Sequence, residues 1–185
     1  VSYIRRFIPA LAEISAPFGS LLKGDAKFEW NQEHQKAFER IKAALTSPQT
    51  MIAPQPGVPL MLYLTSPPKS IGALLVQDVD GAGRPVYYIS QKIRGAEVQY
   101  TPIERHCLAW VFTAQQLRHY FLAHQIRIRR DSKLIVKQVS GQFVLKEPAL
   151  ATYRTAVQRL LDKFQKFEIE HVPRSDNMLA DALST

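Results

Sequence analysis

The chain has one cysteine, Cys107, among its 185 residues. A single thiol excludes an internal disulfide and a zinc site built from cysteines. It fits a reducing, intracellular setting, cytoplasmic or nuclear. No apolar run approaches the roughly 20 residues that a membrane helix needs, so a soluble protein with no membrane partner is expected. There is no initiator methionine, signal peptide or convincing transit peptide at Val1, and the chain reads as a piece of something longer. Internal repeats and low-complexity tracts are missing too. Acid is the scarcer charge. Against 24 Lys and Arg stand 16 Asp and Glu, for a net charge of +8 and a pI near 9.7. That imbalance favours a polyanionic partner, most simply nucleic acid. What is present is a hydrophobic fraction of 46%, enough for a core in one domain, or in one domain plus an appendage.

The rest of the chain is organised around Asp131. Ile126 and Ile128 alternate with Gln125, Arg127 and Arg129, the period of two of a half-buried strand. The strand ends at Asp131, and Ser132 can cap a helix carrying Leu134, Ile135 and Val139. A carboxylate at a strand tip is where α/β sheets place chemistry. The surrounding Arg127, Arg129, Arg130, Lys133 and Lys137 suit phosphates. The plain alternative is a strand-to-helix turn with Asp131 as an ordinary turn residue and the cations as a solvated edge.

Residues 1–24 carry a helical face of Tyr3, Phe7, Leu11 and Ile14, interrupted by Pro9 and Pro17. An extended link follows, in which Phe28 and Trp30 are expected to anchor it to the later sheet. Asn31 can cap a helix running to about Leu45, with Ala37, Phe38, Ile41, Ala44 and Leu45 on one side. Pro54, Pro56, Gly57 and Pro59 mark a linker, so a helical segment 1–56 is set apart from a domain 57–185. Strands are expected at 60–65, 71–77 and 86–90, the last two separated by a turn-rich run. Thr101, Pro102 and Glu104 form a capping box with proline at the first helical position. The helix after it is expected to continue through Phe121. The strand ending at Asp131, two helices, a strand at 167–172 and a short helix holding Asp181 complete the order. Short turns join the first three strands into an antiparallel meander, and helical crossovers make the later strands parallel. The expectation is an α/β fold with a mixed five-stranded sheet flanked by helices.

That order, with Asp131 and Asp181 in these places, resembles the ribonuclease H fold. Residues 1–127 are similar to the connection and ribonuclease H region of plant Ty3/gypsy-type retrotransposon polyproteins. The resemblance rests on Tyr3 to Pro9, Phe28 to Trp30, Gln35 to Phe38, Ile71 to Leu75, Pro85 to Tyr88 and Leu117 to Tyr120. Residues 128–185 resemble instead the C-terminal half of archaeal/plant-type ribonuclease H, through Asp131 to Gly141, His171 to Arg174 and Ala180 to Leu183. The change of resemblance implies a fusion seam near residue 128, at a strand the two types share.

The resemblance implies cleavage of the RNA strand of an RNA–DNA hybrid, assisted by two Mg²⁺ ions held by an Asp, Glu, Asp, Asp set. Asp131 and Asp181 match the third and fourth positions. Ser66 stands at the first, followed by Pro67 and Pro68, and His106 stands at the second. Glu104 is a poor replacement. At about 100° per residue it points roughly 200° away from His106, and the capping box already uses it. Asp78 and Asp80 fall in a hairpin turn at the wrong end of their strand. Serine is a neutral, weak ligand and histidine suits Mg²⁺ poorly, so metal binding and hydrolysis are expected to be impaired. His171 is expected within the last strand, not as a mobile loop histidine. Three functions follow: an impaired, nucleic-acid-binding ribonuclease H-like module; a purely structural connection-type domain packing on the polymerase part of the same polyprotein; or a working hybrid endonuclease with an unusual ligand set.

Overall fold

The computed structural model describes residues 3–22, 27–46, 50–130, 167–171 and the single positions Thr155 and Arg159. Among the described residues four elements precede the sheet, a 3-10 turn at Tyr3–Arg6, α1 at Leu11–Ile14, a second 3-10 turn at Ala16–Gly19 and α2 at Gln32–Thr46, and the sheet opens with β1 at Leu60–Thr65. There follow β2 at Ser70–Val79, β3 at Ala82–Lys92, α3 at Pro102–Gln116, α4 at Arg118–Ala123, β4 at Ile126–Arg130 and β5 at Phe167–His171. Strands β1 to β4 lie within the continuous stretch 50–130, and β5 adds alongside β4, giving the order β3-β2-β1-β4-β5. The β1–β2 and β2–β3 pairs are antiparallel, and the β1–β4 and β4–β5 pairs are parallel. The mixed α/β architecture is therefore the expected one.

Alternation along β1 and β4 sends Leu60, Leu62, Leu64, Ile126 and Ile128 to one face, where α3 and α4 cover them with Ala109, Trp110, Ala114, Leu117 and Phe121. Each such burial contributes about 1.5–3 kcal/mol relative to exposure. The opposite face gathers Tyr63, Leu74, Val76 and Tyr88, with Met51 and Met61 against them. Gln77, buried in β2, pins the proline-rich linker to the sheet. Its Nε2 donates to the carbonyls of Gln55 and Val58, both at 3.0 Å, and its Oε1 accepts from the Gln55 amide at 2.7 Å. A glutamine can serve both roles because it carries donor and acceptor on one amide.

The N-terminal segment docks on β2 and β3. The Ala12 amide donates to Ser90 Oγ at 2.7 Å, Ser70 Oγ donates to Glu13 Oε1 at 2.6 Å, and the Arg6 guanidinium lies 5.7 Å above the Tyr87 ring. The expected face needs correction here. Ala10 adopts a left-handed φ of 50°, which resets the helical phase after Pro9. Leu11 is buried as expected, but Ile8 is buried in place of Phe7, which is 40% exposed.

Three further expectations change. Phe28 and Trp30 do not anchor the link to the sheet. They are 69% and 45% exposed, and Trp30 stacks instead on Phe18 and Phe28, with His34 and Phe38 beside it. The turn between β2 and β3 is only Asp80 and Gly81, with φ of 55° and 76°, the left-handed pair that a two-residue hairpin requires. Pro85 sits where the β2–β3 register shifts, as proline does on an edge strand, so the strands extend through the turn-rich run. The helix after Thr101 breaks at Leu117, dividing α3 from α4. Asn31 caps α2 as expected, its Oδ1 accepting from the Glu33 and His34 amides.

Candidate functional site

The C-terminal ends of β1 and β4, the start of β2 and the last residue of β3 all lie at one end of the sheet. Parallel pairing of β1 with β4 and the registers Thr65 to Gly72 and Ser70 to Lys92 fix this. Ser66 follows directly from β1. His106 is carried there by α3, whose first turn is locked by the capping box. Thr101 Oγ1 accepts from the Glu104 amide, and the Glu104 carboxylate accepts from the Thr101 amide and hydroxyl at 2.8 and 2.9 Å. From that start, Ala109, Trp110 and Ala114 face the sheet, and His106 falls on the same side, only 6% exposed.

Ser66 Oγ and His106 Nδ1 are 2.7 Å apart. Two positions 40 residues apart in the chain are thus joined by a direct hydrogen bond. In one tautomer the hydroxyl donates to the Nδ1 lone pair; in the other Nδ1–H donates to the hydroxyl. Both leave Nδ1 without a lone pair for a metal. The serine oxygen is neutral in either case. A hard cation such as Mg²⁺ seeks charged or carbonyl oxygens, so this half of the site does not fit it. Among the described residues, no group of three or more His, Cys, Asp or Glu side chains is placed to hold a metal ion.

Other carboxylates do not fill the gap. Glu104 is turned to solvent, and its bonds to Thr101 hold its pKa below the ordinary value. Asp78 is at the far end of β2, where its Oδ1 accepts from the Gly81 amide, and Asp80 is in the hairpin turn itself. Beside His106, burial and the nearby Glu104 charge push the Cys107 thiol up to about 11.

Arg127 lies on β4 with Ile126 and Ile128 buried on either side of it, as the alternation predicted. Its Nε pairs with Glu168 Oε2 of β5 at 3.1 Å, and the same carboxylate accepts from Gln125. Part of its charge is therefore compensated locally. Arg129 and Arg130 continue β4 toward the Ser66 end, their backbones paired with β5 at Glu170 and His171. His171 belongs to β5, where it was expected. Asp131, Lys133, Lys137 and Asp181 lie outside the described residues, as do the helices expected after Ser132 and Pro148 and around Asp181. Lys69, Lys92 and Arg94 carry no weight in the sequence reading, yet register brings them to this same sheet end. Their signal was positional, one cation in the β1–β2 turn and two at the close of β3, and it is invisible until the meander is paired.

Two family descriptions match the chain: "RNase H-like domain found in reverse transcriptase" over residues 30–128, and "Reverse transcriptase-like" over residues 118–185. The chain is 32% identical over 183 residues to the retrovirus-related Pol polyprotein from transposon 297 of Drosophila melanogaster, covering 98% of the chain and 16% of that protein. It is 28% identical over 187 residues to the transposon Tf2-3 polyprotein of Schizosaccharomyces pombe, of which it spans 14%. Among solved structures it is similar to the foamy viral protease-reverse transcriptase in complex with dsDNA. That match has a TM-score of 0.72 at 20% identity and covers 94% of this chain and 36% of the other. The same viral protein in complex with RNA/DNA hybrid matches with a TM-score of 0.65 at 20% identity, over 94% of this chain and 23% of the other.

Proposed function

Because the chain belongs to the family of RNase H-like domains found in reverse transcriptase, we propose that it is a retrotransposon-derived module that binds nucleic acid, with RNA–DNA hybrid as its ligand class, and that its hydrolysis is impaired. The observation that carries impairment is the Ser66–His106 hydrogen bond of 2.7 Å. It ties up Ser66 Oγ and His106 Nδ1, which stand at two of the four ligand positions of the family's site and bring no carboxylate to it. In the family, the Mg²⁺ ions stabilise the attacking water and the departing oxygen. Here Asp131 and Asp181 are left as the remaining carboxylates for that role, about half the usual negative charge. The net charge of +8 and the basic run at Arg127, Arg129, Arg130 and Lys133 support binding to a phosphate backbone. The viral relatives of the same fold are described as complexes with dsDNA and with RNA/DNA hybrid, which supports the same ligand class for this chain.

The element of origin is of the Ty3/gypsy type and plant-like in its front part. The rear part is of archaeal/plant type, with a seam near residue 128 between 57–127 and 128–185. The two family matches, ending at 128 and starting at 118, support that division. The polymerase part of the same polyprotein is the protein partner, and residues 1–56 form the connection to it. The deciding experiment is a hybrid-cleavage assay of the chain with Mg²⁺ or Mn²⁺, alongside Asp131→Asn. Cleavage no faster than that of the control is expected. Replacing both degenerate positions, Ser66→Asp with His106→Glu, is expected to bring back cleavage that Asp131→Asn abolishes. Robust cutting by the parent chain that disappears in the control refutes impairment.

A further inference from the structure

Lys69, Lys92 and Arg94 are all exposed at the sheet end that holds Ser66 and His106. Among the described residues none of the three is paired with a carboxylate. They lie on the flank toward β3, whereas Arg127, Arg129 and Arg130 lie toward β5. With strands about 4.8 Å apart, β3 is roughly 14 Å from β4 across the sheet, so at 0.1 M salt, where the Debye length is about 10 Å, the fields of the two flanks overlap only in part. Lys92 and Arg94 also line a cleft of about 330 Å³ whose other wall is the N-terminal segment, with Ser15, Phe18 and Gly19. Glu13 of the same segment is not among the residues lining the cleft and accepts from the Ser70 hydroxyl at 2.6 Å. Gly19 faces Lys92 so closely that a Cβ there would lie 3.7 Å from the ammonium, with nothing else within 4 Å.

We propose that this cleft is a second contact for backbone phosphates of the bound duplex, made by Lys92 and Arg94, reinforced by Lys69, and walled by the N-terminal segment. The inference rests on the nucleic-acid reading above and extends it to a cleft that a domain lacking residues 11–22 would not possess. A duplex seated across the sheet end then meets these cations on the β3 side of the Ser66–His106 pair. Contacts of this kind carry no sequence preference; they set affinity and orientation.

The test is salt-titrated binding of an RNA–DNA hybrid, followed by fluorescence anisotropy, using the full chain. Lys92→Ala combined with Arg94→Ala removes two phosphate contacts, so the slope of log affinity against log salt is expected to become shallower by about 1.8. Gly19→Asp places a carboxylate beside Lys92 without touching the strand and is expected to flatten the slope by about 0.9. Gly19→Asn fills the same space without charge and is expected to bind as the parent does. Thermal melts of each variant establish that it is folded. Parent binding with an unchanged slope in the double variant overturns the cleft. So does equal weakening by Gly19→Asp and Gly19→Asn, which makes the effect one of shape. A parent that binds no hybrid even at low salt defeats the nucleic-acid reading itself, and the cleft falls with it.

Discussion

At the scale of single residues, the site end is defined by what neighbouring side chains already do for one another. Ser66 Oγ is bonded to His106 Nδ1, and Glu104 belongs to Thr101. Cys107, beside this pair, is insulated by burial, and the thiolate is what reacts. With its pKa near 11 against an ordinary 9.0, the thiolate fraction at pH 8 falls about a hundredfold. Alkylation by iodoacetamide at pH 8 is therefore expected to run about a hundredfold slower in the folded chain than in denaturant. The sign for stability follows. The unfolded thiol ionises first, so this residue's favourable contribution is whole below pH 9 and drains away as pH climbs toward 11. A folded-state rate equal to that of the denatured chain contradicts the buried placement.

At the scale of elements, the decisive contact is between α1 and the sheet. Leu11 is fully buried, and α1 is stapled to Ser70 and Ser90 by side-chain hydrogen bonds. Leu11→Ala is expected to cost about 2–5 kcal/mol in chemical denaturation, the range for emptying a core position. A loss under ~0.5 kcal/mol, the level of an ordinary surface change, contradicts the docking. Much of this was legible in advance. The alternation of Ile126 and Ile128, the Thr101–Glu104 box and the Asn31 cap are local signals, and local signals survive folding. The burial of Leu11 was legible too, but that of Ile8 in place of Phe7 was not, because the left-handed Ala10 shifts the phase between the Tyr3–Arg6 turn and α1 by an amount no periodicity carries. Nor was the fate of Trp30: its aromatic neighbours come from α2 and the preceding turn, so it had partners closer than the sheet.

At the scale of the whole molecule, the registers turn scattered residues into one end of a sheet. The sequence, through the resemblance, located Ser66 and His106 as counterparts. Only the parallel β1–β4 pairing and the seating of α3 explain why they touch. Lys69 and Lys92 looked unrelated until β2 and β3 were paired. A fold whose site end joins Ser66 to His106, with no carboxylate at either position, gains little from Mg²⁺. Thermal unfolding in millimolar Mg²⁺ and in excess EDTA is expected to give Tm values within about 1 °C, since a ligand must bind the folded chain below its free concentration to raise Tm noticeably. A metal-dependent rise of several degrees contradicts this and restores a filled site.

The two indoles occupy unlike surroundings. Trp110 is 2% exposed between α3 and the sheet, while Trp30 is 45% exposed in an aromatic row on the N-terminal part. Their emission therefore differs in colour and in access to soluble quenchers. The chain carries its own pair of optical reporters, one for each side of the proline-rich linker. Whether the two halves melt together or in succession can be watched without attaching a dye.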